Sequence, residues 1–584
     1  MPYKKILSAP QRLRCPRALT SLLLLALSTA SGAEETTETR ETEKARQPSE
    51  QCQSLLPRGD PALFQFVETR EKIDYDQYKG MPIKGIDYEV LPIFDPNNPD
   101  ENYAIYRLFN FLHIDTKPGT LEKQMLLSPG EPLNPDELYE NERQLRENGY
   151  LVDAMIVPEE VCDDGIRLRT VVRDVWTLYA SGSASRSGGD NSVGAGLTEN
   201  NLFGLGQELS VGYYENDDRD GYGFSYYAPD LITQHLELAL DYYDNSDGDE
   251  LSVNLKRPFY KLDSRWGAGA STDQIRLTEN VERDDVVINR YQRESINNSA
   301  FWGWSAGLEN NEVHRWRIGY TEQIDEFTAV MDPSSPPDDV ELRYPWVNWE
   351  YLQDRFWTTS NITRSHRQED IPIGLRSSVT LGYASESAGS DRNAAIYNYN
   401  LSYSTNAGHS HLVRTRAEGS GRYNLDTDLP EEAIYSFNLD YFKFIDPNNR
   451  WFINLQYNLA RNIRDDRSFT TGDGDALRGY PSDIQRGNHQ WTFTAERRHF
   501  TDIHLLNLAW LGGAIYFDAG RTWDSDSDDP DVDERVLSNI GMGLRISPSK
   551  FRIDRVAHID IAWPLDEGDN IDNYQILIKG RVDF

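Results

Sequence analysis

YQILIKGRVDF (574–584) closes the chain. Tyr574, Ile576, Ile578, Gly580, Val582 and Phe584 share one side of an extended strand. Gln575, Lys579, Arg581 and Asp583 share the other, and Leu577 is the exception. Successive side chains of a strand point to opposite faces, so this stretch has an apolar face and a polar one. A strand in the wall of a membrane barrel needs that division, with lipid on one side and water on the other.

The same period of two recurs upstream. Leu236, Leu238, Leu240 and Tyr242 oppose Glu237, Ala239, Asp241 and Tyr243. The chain turns through NSDGDE (245–250), and Leu251, Val253 and Leu255 then alternate with Ser252, Asn254 and Lys256. Stretches 208–214, 394–404, 436–444 and 451–459 read alike. The predicted fold class is mainly β: a transmembrane antiparallel β-barrel over 176–584. Such strands alternate without being hydrophobic overall, which fits a mean hydropathy of −0.65. The 32 Tyr and 13 Trp supply aromatic girdles for two interfaces. A net charge of −36 argues against nucleic acid as a partner. Three cysteines in 584 residues exclude a disulfide scaffold.

Three later stretches carry a resemblance. GDALRGYPSDIQRGNHQWTFTAERRHF (474–500) holds Leu477-Arg478-Gly479-Tyr480, GGAIYFDAGRTWD (512–524) holds Phe517-Asp518-Ala519-Gly520, and IGMGLRISPSKFRIDRVAHIDIAWPL (540–565) precedes the terminal strand. With ENNLFGLGQELSVGYY (199–214), this series is similar to the barrel of the BamA/TamA surface-antigen superfamily of outer-membrane assembly and translocation factors. The resemblance implies a lumenal latch. Arg478, Gly479 and Tyr480 would lie on a loop folded into the lumen, and Arg478 would meet Asp518 of the strand that also carries Gly520. By alternation, Asp518 faces the lumen if Phe517 faces lipid. The terminal strand resembles the barrel targeting signal, carried by Tyr574, Ile576, Ile578, Val582 and Phe584. Pattern alone gives roughly twenty strands after Trp176. The resemblance implies about sixteen, with some of 286–446 as extracellular hairpins, and sixteen is the expectation here.

Before the barrel, 82–175 reads as strand, helix, helix, strand, strand. Asn134-Pro135-Asp136-Glu137 is a helix start with a cap, a first-turn proline and a capping-box glutamate. GEPLNPDELYENERQLRENGYLVDAMI (130–156) resembles a POTRA domain, a small α+β module that receives client chains by strand addition. Ile166, Leu168, Thr170 and Val172 are the expected client-binding edge, since an edge strand offers unpaired N–H and C=O groups.

The N-terminus reads as a secretory signal peptide over 1–33. It has basic Lys4, Lys5, Arg12, Arg14 and Arg17, an apolar core ALTSLLLLALSTA (18–30) and small residues at Ser31-Gly32-Ala33. A polar tether is expected over 34–81. Export permits a disulfide between Cys52 and Cys162.

Two motifs imitate enzymes or metal sites. Gly303-Trp304-Ser305-Ala306-Gly307 matches a nucleophile elbow but lies in a strand-turn-strand pattern. DSDSDDPDVDE (524–534) lacks the glycine and glutamate of a calcium loop, with Asp529 and Arg535 at those places. No enzyme, cofactor or metal is expected. The expected role is a pore for assembly, insertion or translocation in the bacterial outer membrane, with the POTRA domain in the periplasm. Its partners would be unfolded outer-membrane or secreted polypeptides, periplasmic chaperones or accessory proteins, and outer-membrane lipid. Alternative readings are a two-partner-type transporter for one dedicated substrate, and a passive channel or structural barrel.

Overall fold

A computed structural model describes residues 52–55, 63 and 73–581, apart from 188–189, 217–218, 284–285, 332–334, 363–365, 367, 409, 465–467, 473–476, 482–483, 525–534, 551–555 and 569–570. The signal peptide, Val582, Phe584 and the acidic run 525–534 lie outside the described residues.

The small domain is a four-stranded sheet under helices. β1 is Cys52–Ser54 and β2 is Ile83–Leu91, followed by helices α1 (Ala104–Leu112), α2 (Pro118–Lys123) and α3 (Pro135–Glu147). Strands β3 (Leu151–Cys162) and β4 (Gly165–Asp174) close it. The sheet order is β1-β3-β4-β2, with β2 parallel and β3 antiparallel to β4. β2 ends at Leu91. Pro92 has no N–H for a ladder, and Ile93 and Phe94 turn away to pack with Tyr106. Asn134 caps α3 by accepting from the Asp136 N–H at 3.3 Å. Leu138 and Leu145 enter a core with Leu121, Ile156 and Leu168. Glu137 makes no capping box; it pairs with Lys261 at 2.7 Å. The expected tether ends earlier than 81. Leu63 and Tyr75 are buried in the domain, and β1 joins its sheet beside β3. Cys52 and Cys162 are both disulfide-bonded.

From Leu178 onward the chain builds a wall of twenty strands among the described residues, with the order of a closed barrel. The first, Leu178–Ser187, neighbours the last, Gln575–Arg581. This corrects the expected sixteen. Of the nine described strands that begin between Val286 and Leu429, seven run in the wall, where the resemblance allowed external hairpins, and the other two, Phe356–Ser360 and Gln368–Pro372, pair with each other. The alternation in each is a wall pattern, and the direct count outweighs the family norm. Strand Ala509–Trp523 shows the division: Ile515 and Phe517 are exposed, while Tyr516 and Asp518 are buried. No described helix is long and apolar enough to cross a membrane.

Connections alternate between the two ends of an antiparallel wall. The small domain sits at the end where it enters the first strand. Glu101 is held there by Lys550 at 2.6 Å and Arg173 at 3.1 Å. Burial disfavours its carboxylate, but the two cations prevail and hold the carboxyl below the usual glutamate range. α3 docks further round, where the Glu140 carboxylate accepts the Leu262 N–H at 2.8 Å.

Candidate functional site

Arg478 and Asp518 meet inside the barrel, beside the wall strands His489–Leu505, Ala509–Trp523, Leu537–Pro548 and Val556–Pro564. The loop between Asn449–Arg461 and His489–Leu505 enters from the end opposite the small domain. Arg478 reaches Asp518 with two parallel hydrogen bonds, Nε to Oδ2 at 2.9 Å and Nη2 to Oδ1 at 2.8 Å. A planar fork matched to a carboxylate is the strong geometry for such a pair, and lysine cannot reproduce it. The guanidinium lies 3.2 Å from the centre of the Tyr516 ring. Asp518 also accepts from Thr494 Oγ1 and Asn539 Nδ2, each at 2.9 Å. Four donors therefore satisfy a carboxylate that is 1% exposed.

Gly479 and Tyr480 seat the loop. A Cβ on Gly479 would stand 2.6 Å from that of Asn539, so only glycine lets the backbone come this close. Its N–H donates to Asn539 Oδ1 at 3.2 Å. The Tyr480 hydroxyl lies 2.6 Å from Ser538 O and 2.7 Å from Asp566 Oδ2. Its ring packs with Leu477 and Leu537. Gly520 is a wall residue instead. It faces the strand beside it, where a Cβ would stand 2.8 Å from Trp491 O.

Sequence reasoning stopped at one pair, and the site is larger. Arg478 Nη1 also meets Glu496 at 3.2 Å. Glu496 in turn holds Arg498 at 3.1 Å and Arg545 at 3.5 Å, and Arg545 pairs with Asp560 at 2.8 Å. Three arginines thus face three carboxylates, all under 10% exposed. The balance of charge makes the cluster tolerable in a buried setting. The signal was available, because Glu496 and Arg498 alternate against the outward Trp491 and Phe493.

A second segment fills the lumen from the small-domain end. Phe356–Ser360 and Gln368–Pro372 form a hairpin between wall strands Val340–Gln353 and Gly374–Ala384. Ile362, Ile371 and Ile373 pack on the buried Leu412, Phe442 and Phe452 of three consecutive wall strands. Its turn carries His366, which stacks on Trp510 at 4.1 Å. Its far strand carries Asp370, which pairs with Arg146 of α3 at 2.8 Å. The hairpin therefore links the small domain to the barrel interior.

The expected client edge is corrected. Ile166, Leu168, Thr170 and Val172 lie on β4, which is paired on both sides, and all four are buried. Chain order suggested an edge, but the sheet places the last strand between β3 and β2. The outer strands are β1, of three residues, and β2, of nine, so β2 is the longer edge. Among the described residues its start is covered, where Ile83 exchanges hydrogen bonds with Gly130 and Glu131 at 2.7 and 2.9 Å. Of the terminal signal, Tyr574, Ile576 and Ile578 are half exposed on the outer face, and Leu577 points inward to Tyr516 and Ala562.

Ser305 sits in strand Val286–Glu309, beside a bulge. Its hydroxyl donates to the His314 carbonyl at 2.7 Å and accepts the Gly307 N–H, an arrangement of strand geometry and not of an elbow. His113, Asp115 and Asp174 have the residue types of a metal site. The Asp174 oxygens are already taken by Thr116 N–H, Thr116 Oγ1 and His113, so the group is accounted for as a clasp between α1 and β4.

No family model matches the chain, and no curated protein matches it. Among solved structures it is similar to BamA from Haemophilus ducreyi lacking POTRA domains 1–3, at 13% identity over 86% of this chain and 84% of that one, TM-score 0.37. It is also similar to CdiB from Acinetobacter baumannii, at 13% identity over 86% and 74%, TM-score 0.42. CdiB from Escherichia coli gives 10% identity over 97% and 99%, TM-score 0.41.

Proposed function

We propose that the chain is an outer-membrane barrel of the BamA/TamA surface-antigen superfamily that inserts or translocates unfolded polypeptides. The small domain acts as a periplasmic POTRA module. The observation that carries this reading is the Arg478–Asp518 fork inside the wall, formed by the residues the family resemblance singles out. The outward apolar residues and inward charges of the wall fit lipid outside and water within. Lumen width grows with strand number, so twenty strands enclose more room than the expected sixteen. The hairpin and the latch loop occupy part of that room. This arrangement suits a barrel closed at rest better than a passive channel.

The small domain receives its client along β2, whose open edge can add a strand. A photocrosslinker at Asp87 on β2 should capture unfolded outer-membrane polypeptides in living cells, and one at Thr170 on β4 should not. Equal capture at both, or none at either, contradicts the receiving role.

A further inference from the structure

Helix α1 carries an apolar face that the protein does not cover. Tyr103, Ile105, Leu108, Phe111, Leu112 and Ile114 are each 48–82% exposed, Phe111 the most. Apolar patches of this kind on folded proteins mark interaction sites. The opposite face is firmly held. Tyr106 stacks on Phe94 at 4.4 Å, Phe109 meets Trp176 edge-on at 4.8 Å, and Asn110 exchanges hydrogen bonds with both backbone groups of Phe94. The helix is therefore fixed with its apolar side turned away from the domain.

Its position identifies what covers that side. The Tyr106 hydroxyl donates to Leu506 O at 2.5 Å, and Asn507 Nδ2 donates to Asp100 O at 2.8 Å. Both partners lie on the turn that joins wall strands His489–Leu505 and Ala509–Trp523. Leu505 is paired with Ala509 and so shares the face of the outward Ile515 and Phe517. Ile503, Leu505 and Leu506 are themselves 49–70% exposed. The turn that carries these exposed apolar residues is thus in direct contact with the helix that carries the exposed apolar face. Arg107 is the one charged residue of the helix, and it is folded back onto Asn102 O and Oδ1 at 2.7 and 2.9 Å.

We infer that α1 is an interfacial helix that rests on the lipid surface of the membrane leaflet nearest the small domain, continuing the lipid-facing surface of the barrel. Helices with one wholly apolar face lie in the headgroup boundary in this way. This contact would hold the small domain at a fixed tilt beside the wall and orient β2 relative to the membrane. The inference rests on the reading of the wall as membrane-spanning.

The test uses the full-length protein in nanodiscs of phosphatidylethanolamine and phosphatidylglycerol containing nitroxide lipids. A fluorophore is placed at Phe111→Cys, at Met542→Cys on the outer wall, or at Lys123→Cys on α2. Quenching at Phe111→Cys and Met542→Cys, with little at Lys123→Cys, is expected. Adding Leu108→Glu and Leu112→Glu should reduce quenching at Phe111→Cys at least severalfold and leave Met542→Cys unchanged. Quenching at Met542→Cys without quenching at Phe111→Cys overturns the inference and leaves the barrel reading standing. No quenching at Met542→Cys overturns the barrel reading itself. Unchanged quenching at Phe111→Cys in the glutamate variant also overturns the inference, because the apolar face would then not be what holds the helix to lipid.

Discussion

Two segments enter the barrel from opposite ends, and opposite physics holds them. The latch loop is fixed by directional bonds from Arg478 into a buried, balanced set of charges. The hairpin from Phe356 to Pro372 is fixed mainly by isoleucines against Leu412, Phe442 and Phe452. A charge network fails when one member is removed, because its partner is left buried and alone. Apolar packing degrades in proportion to the volume lost. The latch end is therefore built to hold one conformation, whereas the hairpin end can yield gradually. The hairpin is also the one tied to the small domain, through Arg146 and Asp370.

The sharpest way to break this contrast is at the fork. Arg478→Ala should cost about 3–5 kcal/mol, because Asp518 loses both bonds and Glu496 loses one. The loop should become sensitive to protease while the wall stays folded. Arg478→Lys should recover only part of the loss, since one ammonium cannot make the paired contact. A double-mutant cycle with Asp518→Ala should give a coupling energy of about 1–3 kcal/mol. A coupling near zero would mean that the pair does not hold the loop, whatever each single variant does.

At the other end, Ile371→Ala should cost about 2–3 kcal/mol and Ile371→Val about 1 kcal/mol. Graded losses of this kind, read by urea unfolding of the barrel, would sharpen the difference between the ends. An equal, full loss for both variants would erase it.

A more local effect is expected at the docking ion trio. Glu101→Gln should weaken attachment of the small domain by about 1–3 kcal/mol, since Lys550 and Arg173 lose a charged acceptor. Glu101 has a lowered pKa, so its contribution is present at neutral pH. It is lost as pH falls from the usual glutamate range through the lower folded value. The acid-induced release of the domain, followed by hydrogen exchange in α1, should shift to higher pH in the variant. An unchanged acid profile would assign docking to other contacts.

The latch was legible in the sequence because two signals met there. The Leu477-Arg478-Gly479-Tyr480 stretch carried the resemblance, and alternation around Phe517 aimed Asp518 inward. Glu496, Arg498, Arg545 and Asp560 carry the same alternation but no motif, and alternation alone aims a charge inward without saying which charge it meets. The hairpin was invisible for a related reason. FWTTS and QEDIP have the composition of wall strands, and only tertiary contacts send them into the lumen. The client edge was misplaced because chain order does not fix spatial order. A parallel pairing of β2 with β4 puts the last strand in the middle. The strand number failed in the other direction, where a family expectation displaced a sound count of alternating stretches.

The central claim is that this barrel assists the passage of unfolded chains into or across the membrane. The direct measurement is the folding rate of a urea-denatured outer-membrane polypeptide in liposomes that contain the full-length protein, read by its change in gel mobility without heating. The account predicts clear acceleration over empty liposomes and loss of most of that acceleration with Arg478→Ala. Folding no faster than in empty liposomes, with the wild-type barrel shown to be intact, would contradict it.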